Sequence, residues 1–370
     1  MKITNIITHK LSYLPKNPPR DGLSGISTRD VILVEVETDV GIIGVGEGFA
    51  LASLQSTEVF INELLVPVLI GEDPTCTEAL WEKMYKRTFR VGRRGLALAA
   101  ISAIDIALWD IIGKKAGMPV YKLLGGHSRH LNAYASAGYY QEGKGLNELA
   151  EEMREYAKQG FKAVKMKVGG VSPEEDLARV RTARQALGDA IKLAVDANNS
   201  WALPTAMRMA RKLEPLDIFF LEEPISSDDV DGSAELARFT DIPIAGYETE
   251  YTRYGLRDII VKRAVNIVQT DAIWTGGISE ARKIGILASA WGMKCIPHFS
   301  AGIVSLMANL HFAASLPNVE WFELTLDDNP LRTELSNLFP KVEEGLIYLN
   351  DAPGIGIELD REVLERYKIK

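Results

Sequence analysis

From about Leu131 the chain repeats one unit, a short apolar run followed by an amphipathic one, and this rhythm limits the folds open to it more than any other feature. The apolar runs are LNAYASAGY, AVKMKVG, IKLAVDAN, IFFLEEPI, IPIAGYE, NIVQTDA and MKCIPHFS, and between them lie helical candidates such as LNELAEEMREYAKQG, PEEDLARVRTARQAL, LPTAMRMARKLE and ISEARKIGILASAWG. Strands alternating with helices predict a parallel sheet covered on both faces. Each strand signal, with a further one at EWFEL, ends in an ionisable group: Lys167, Asp196, Glu222, Glu248, Asp271, His298 and Glu323. Subtracting these positions gives separations of 29, 26, 26, 23, 27 and 25 residues, the length of one strand-helix unit. Reactive groups at the C-terminal ends of successive strands are how a (β/α) barrel builds an active site. An open doubly wound sheet would carry a glycine-rich first turn, and no GxGxxG follows a strand here.

The segment before this repeat mixes signals. DVILVEVETDVGIIGVGEG alternates apolar and polar residues on both sides of Asp39-Val40-Gly41, which predicts an antiparallel hairpin. LPKNPPRDGLSGIST has the composition of a mobile surface loop. TEALWEKMYKRTF has amphipathic spacing, and GLALAAISAIDIALWDIIGKKAG is apolar almost all round, a buried helix ending at Gly117-Met118-Pro119. The tail from about Leu324 returns to a hairpin-like GLIYLNDAPGIGIEL, expected to pair with the N-terminal domain. Three parts are expected: an α+β capping domain over 1–127, a barrel over 128–325 and a returning segment over 326–370.

Composition narrows the partners. Lysines and arginines number 42 against 50 acidic residues, a formal charge of −8, which disfavours nucleic acid or an anionic membrane. Cys76 and Cys295 form no CxxC pair, so neither a disulfide framework nor a zinc knuckle is expected. The N-terminus shows no signal-peptide pattern, and no apolar stretch is read as reaching membrane-spanning length, so a cytoplasmic small-molecule enzyme is expected.

In a barrel, Asp196, Glu222 and Glu248 converge from three consecutive strands, a set of hard oxygen ligands that favours Mg²⁺ over Zn²⁺. Asn198 is a candidate to orient them, and Glu223 a salt-bridge partner. In FKAVKMKVGG, Val164, Met166 and Val168 share one face and Lys165 and Lys167 the other. A lone KxK reads as a solvated edge strand. On the inner face of a barrel, positive neighbours and desolvation would instead lower an amine's pKa towards that of a base, with Lys167 the base and Lys165 its positive neighbour. Asp271 and His298 end adjacent strands, so the carboxylate can fix the imidazole tautomer. Glu323 reads equally as a substrate contact or a salt-bridged end residue.

At these residues the chain resembles the mandelate racemase subgroup of the enolase superfamily: Lys165-x-Lys167, Asp196-x-Asn198, Glu222-Glu223-Pro224, Glu248, Asp271 with His298, and Glu323, in the family's order. AIDIALWDIIGKKAGMPVYKLLGG also looks like the family's junction between cap and barrel. The resemblance implies a modified (β/α)₇β barrel topped by an α+β domain, Mg²⁺ on Asp196, Glu222 and Glu248, and removal of a proton α to a carboxylate to give an enediolate. A Lys or His base with Mg²⁺ is the pairing known for this superfamily. Loss of a β-hydroxyl would make the enzyme a dehydratase of an aldonate or aldarate, the expected outcome. Proton return would make it a racemase or epimerase, and lactone chemistry a cycloisomerase. Arg90, Arg93, Arg94, Tyr139, Tyr140 and Gln141 are candidate contacts to hydroxyls or a distal carboxylate. Tyr247 stands where a small residue is expected and would narrow the pocket. A symmetric homo-oligomer is also expected. A Schiff-base aldolase, which borohydride would trap on a lysine, and a non-catalytic sugar-acid binding protein are the rival classes.

Overall fold

The computed structural model describes residues 1–25 and 27–369. The chain opens with a three-stranded antiparallel sheet: β1 (Ile3–Tyr13) pairs with β2 (Arg29–Thr38), and β2 pairs with β3 (Ile43–Gly48) across the predicted Asp39–Gly41 turn. Residues 54–69 are helical, followed by α1 (Thr77–Thr88) and α2 (Leu96–Ala116), which stops at Gly117 in the left-handed conformation.

Packing of β3 on α2 is written in two periodicities. Gly44, Gly46 and Gly48 share one face of the strand, and a Cβ added to them would lie 2.2, 1.8 and 2.4 Å from the carbonyl oxygens of Ala107, Ala103 and Ala99. Glycine every second residue thus meets alanine every fourth, and the two backbones touch. The opposite face of β3 turns Glu47 towards the barrel, where it accepts backbone N–H groups of Gly302 and Ser305 at 2.9 Å each. Contrary to the reading of the sequence, α2 is long and apolar enough to cross a membrane. Its apolar stretch is 83% buried inside the protein, so α2 serves as a core helix.

The repeat folds as the rhythm predicts. Eight parallel strands, β4 (His130–Ala137), β5 (Ala163–Lys167), β6 (Lys192–Asp196), β7 (Ile218–Glu222), β8 (Ile244–Gly246), β9 (Ile267–Val268), β10 (Lys294–Cys295) and β11 (Trp321–Thr325), run in order, with β11 returning to pair with β4. Seven long helices connect them: α3 (Leu146–Lys158), α4 (Pro173–Leu187), α5 (Leu203–Leu213), α6 (Val230–Phe239), α7 (Thr252–Lys262), α8 (Gly277–Ala290) and α9 (Ile303–Ala313). This is a (β/α)₇β barrel. The seam between β10 and β11 is closed by single bonds: Cys295 N to Asn318 O, Phe299 N to the Glu323 carboxylate, and Thr325 Oγ1 to Phe299 O. Glu323 therefore lies inside β11 rather than at its end.

Inward-facing side chains follow the strand period. Tyr134, Ala163, Ala194, Phe220, Ala245, Ile267 and Ile296 plug the barrel, and two residues on from most of them stand the polar groups: Lys165, Asp196, Glu222, Gln269 and His298. Only β8 breaks step. Tyr247 has φ of 74°, which swings its ring outward against Ile225, Ser233 and Val265 and turns Glu248 into the barrel mouth. The phenol therefore does not narrow the pocket.

The tail differs from expectation. Its hairpin, β12 (Lys341–Glu343) and β13 (Leu346–Tyr348), pairs with β4 of the barrel, not with the N-terminal sheet. The cap contacts come later: Pro119 bridges to Gly354, Ile369 N donates to Lys10 O, and α10 (Arg361–Tyr367) sets Arg361 on Glu35.

Candidate active site

The C-terminal strand ends open into a cavity of about 190 Å³, lined on the barrel side by Tyr139, Lys167, Asn198, Glu223, Glu248, Asp271, His298 and Glu323. Lys165, Asp196 and Glu222 lie directly beneath and are fully buried. Lys165 Nζ stands 2.6 Å from Glu222, 2.7 Å from Glu323 and 3.3 Å from Asp196, while Lys167 Nζ meets Asp196 at 2.5 Å. Gln269, which the sequence reading overlooked, donates from Nε2 to Glu222 at 2.8 Å. Inward alternation two residues before Asp271 would have found it.

This arrangement reverses the expected direction of the lysine pKa shifts. The two amines face carboxylates rather than one another. Burial lowers both pKa values, but Glu222 and Glu323 outweigh it at Lys165 and Asp196 outweighs it at Lys167, so both amines are held above the usual lysine range. Among the described residues, no three carboxylate, imidazole or thiol groups are drawn into a metal cage; ammonium groups stand among the acids instead. The acids crowd all the same. Burial and the Asp196 carboxylate hold Glu222 well above its usual range despite Lys165. Glu248, pushed up by burial, keeps a buried oxygen without a hydrogen-bond partner.

His298 and Asp271 meet as expected, Nδ1 to Oδ2 at 2.9 Å. Asp271 is itself held, its Oδ1 accepting from Asn309 Nδ2 and Ile273 N. The other ring nitrogen, Nε2, points at Glu248 from 3.5 Å. Burial pulls the imidazole pKa down, yet Glu248 and the Asp271 hydrogen bond raise it to about 10.

Other expectations fare unevenly. Asn198 lines the cavity, and its backbone N–H orients Asp196 at 2.9 Å. Among the described residues Glu223 forms no salt bridge; it accepts from Asn199 Nδ2 and Tyr247 N, and burial with the nearby Glu248 lifts its pKa to about 8. Tyr139 faces the cavity with Lys167 Nζ 5.3 Å from its ring. Gln141 lies outside, reaching Asn17 O, and Tyr140 is spent on Asp176 and the Arg179 guanidinium. Arg90, Arg93 and Arg94 do not line the cavity: Arg94 pairs with Glu250 and Arg93 covers Phe89. The roof comes instead from the Pro- and Gly-rich loop and the start of β2, through Asp21, Leu23, Ser24, Thr28, Arg29 and Asp30, with Phe49 stacked near Trp274. Arg20 docks that loop through paired backbone bonds with Tyr140.

Comparison with known proteins agrees with this architecture. The mandelate racemase / muconate lactonizing enzyme N-terminal domain model matches residues 3–125, and the enolase C-terminal domain-like model matches residues 148–363. The chain belongs to the mandelate racemase family of the enolase superfamily. Similar to this family member is the arabinonate dehydratase of Saccharolobus solfataricus, 47% identical with all of both chains covered. The D-galactarolactone cycloisomerase of Agrobacterium fabrum is 34% identical over 100% of this chain and 99% of that one. The structure of L-talarate/galactarate dehydratase from Salmonella typhimurium LT2, liganded with Mg and L-lyxarohydroxamate, superposes with a TM-score of 0.92 at 31% identity, covering 100% of this chain and 93% of that one.

Proposed function

We propose that this enolase-superfamily enzyme is a Mg²⁺-dependent sugar-acid dehydratase, converting an aldonate or aldarate to a 2-keto-3-deoxy acid. One observation carries the reading: Lys167 and the Asp271–His298 pair line a single cavity with Glu248 and Asn198, beside the buried Asp196 and Glu222. The full-length relative that is an arabinonate dehydratase supports it.

Asp196, Glu222 and Glu248 fit Mg²⁺. They offer hard oxygen donors, they crowd one another, and Glu248 carries a buried oxygen with no hydrogen-bond partner among the described residues. Bound there, the ion supplies the charge that lowers the cost of a developing oxyanion. Lys167, relieved of the Asp196 carboxylate and with its own ammonium proton given up to solvent, takes the α-proton as the neutral amine, and the C–H electron pair passes into the enediolate. His298, its Nδ1 held by Asp271, protonates the β-hydroxyl from Nε2 as the C–O bond breaks, and water leaves. The resulting enol ketonises. Asp271 holds the ring in place throughout. Lys165, Glu323, Asn198 and Tyr139 position the carboxylate end of the substrate. Cycloisomerisation of a sugar-acid lactone shares the first step and is the second reading, supported by the cycloisomerase relative.

The test is a screen of aldonates, aldarates and their lactones with Mg²⁺, reading 2-keto acid formation and solvent deuterium uptake at the α-carbon. Expected is keto-acid formation that EDTA stops, Mg²⁺ restores, and Lys167→Met or His298→Asn abolishes without unfolding. Keto-acid formation that persists in either variant would sink the mechanism.

A further inference from the structure

Arg29, the first residue of β2, faces the active-site cavity but was not singled out from the sequence. It is only 7% exposed, its Nε and Nη2 are buried without a hydrogen-bond partner among the described residues, and it forms an ion pair with Asp327 behind it. Asp327 also takes Arg332 at 2.9 Å. Arg332 is 2% exposed, and its Nη1 is likewise without a partner. Two buried guanidiniums thus share one carboxylate. Of the two, Arg29 is the one that lines the cavity, so an acceptor there is placed to complete the partnering that the shared carboxylate leaves short.

We propose that Arg29 is a substrate-binding, specificity-determining residue, donating from its guanidinium to hydroxyl oxygens along the chain of the sugar acid. The ligand's identity rests on the dehydratase reading above. Hydroxyls suit the position better than a second carboxylate because the other ionisable side chains that the cap brings to the cavity are Asp21, Asp30 and Glu47. A hydroxyl can accept from Arg29 and donate to those acids, whereas a second carboxylate would meet them with like charge. Asp327 and Arg332 are positioning residues that hold the fork from behind.

Arg29→Lys tests this, since it keeps the charge and removes Nε and the planar fork. With arabinonate and Mg²⁺, KM rises roughly 10- to 100-fold, the worth of a hydrogen bond to a charged donor, while kcat and the unfolding temperature change little. A KM within twofold of wild type overturns the assignment. So does a matched five-carbon diacid turned over as well as arabinonate. Should the variant fail to fold, the wild-type protein crystallised with Mg²⁺ and an arabinonate-derived hydroxamate decides: a guanidinium nitrogen within about 3.2 Å of a ligand hydroxyl supports the proposal, and a wider gap overturns it. Absence of wild-type turnover would sink the dehydratase reading alone, because the hydroxamate's Kd for wild type and Arg29→Lys still reports on Arg29.

Discussion

Replacing Lys165 by Met removes the ammonium at the centre of the acid cluster and leaves Asp196, Glu222 and Glu323, each within 3.3 Å of Nζ, without their shared cation. A unit pair near 4 Å is worth about 4 kcal/mol at an effective dielectric of 20, before the cost of burying both ions is subtracted. Breaking a buried pair by deleting one partner typically costs about 3–5 kcal/mol, because charge is left behind uncompensated. At roughly 2 °C per kcal/mol for a chain of this size, the metal-free variant should unfold about 5–10 °C below wild type. Burial lowers the Lys165 pKa but its carboxylates raise it well above 10.5. The stabilisation is therefore complete at neutral pH and is lost only as pH climbs above the ordinary lysine range. Mg²⁺ should stabilise the variant more than wild type, since the acids it binds have lost a competing cation. The assay is thermal unfolding in EDTA and across a Mg²⁺ titration. An unfolding temperature in EDTA equal to wild type would refute the energetic argument, and a variant that ignores Mg²⁺ would refute the assignment of Asp196, Glu222 and Glu248 as ligands.

Asp271→Asn should lower kcat by about 10²–10⁴ through loss of imidazole orientation, with Mg²⁺-induced stabilisation intact; unchanged steady-state rates would dismiss the pair as structural. Gly46→Ala drives a Cβ to 1.8 Å from Ala103 O and should cost at least about 1–3 kcal/mol, read by denaturant midpoint. Glu35 is buried, which raises its pKa, but Arg361 and His9 lower it further, to about 2. Its stabilisation is present above the usual carboxylate range and lost as pH falls through about 2. Glu35→Gln should therefore lose about 1–2 kcal/mol at neutral pH, allowing for solvent screening of the exposed Arg361, and show a shallower acid limb in pH-dependent unfolding.

The barrel and its polar ring were legible because both rest on local periodicity: strands alternate every two residues, units recur every 23–29 residues, and the ring residues ride on those periods. Where the period slips, legibility fails. Spacing placed Glu248 in the ring, but the left-handed backbone at Tyr247, which turns the phenol out of the pocket, has no counterpart in the strand period. Helix α9, apolar and buried on every side, carries no amphipathic signal to separate it from a strand run. The substrate roof fails for another reason, since its residues come from a loop and the start of β2, more than a hundred positions from the barrel ring.

By itself the sequence determined the repeat, the inward ring from Lys165 to Glu323 and the meeting of Asp271 with His298, because neighbouring parallel strands bring successive strand ends side by side. Tertiary structure alone decided the charge state of the lysines, the closure of the β10–β11 seam, the pairing of the tail hairpin with β4 and the turning of Arg29 into the cavity. Those depend on which distant groups share a low-dielectric interior, and burial strengthens every such contact and penalises every one left unmade.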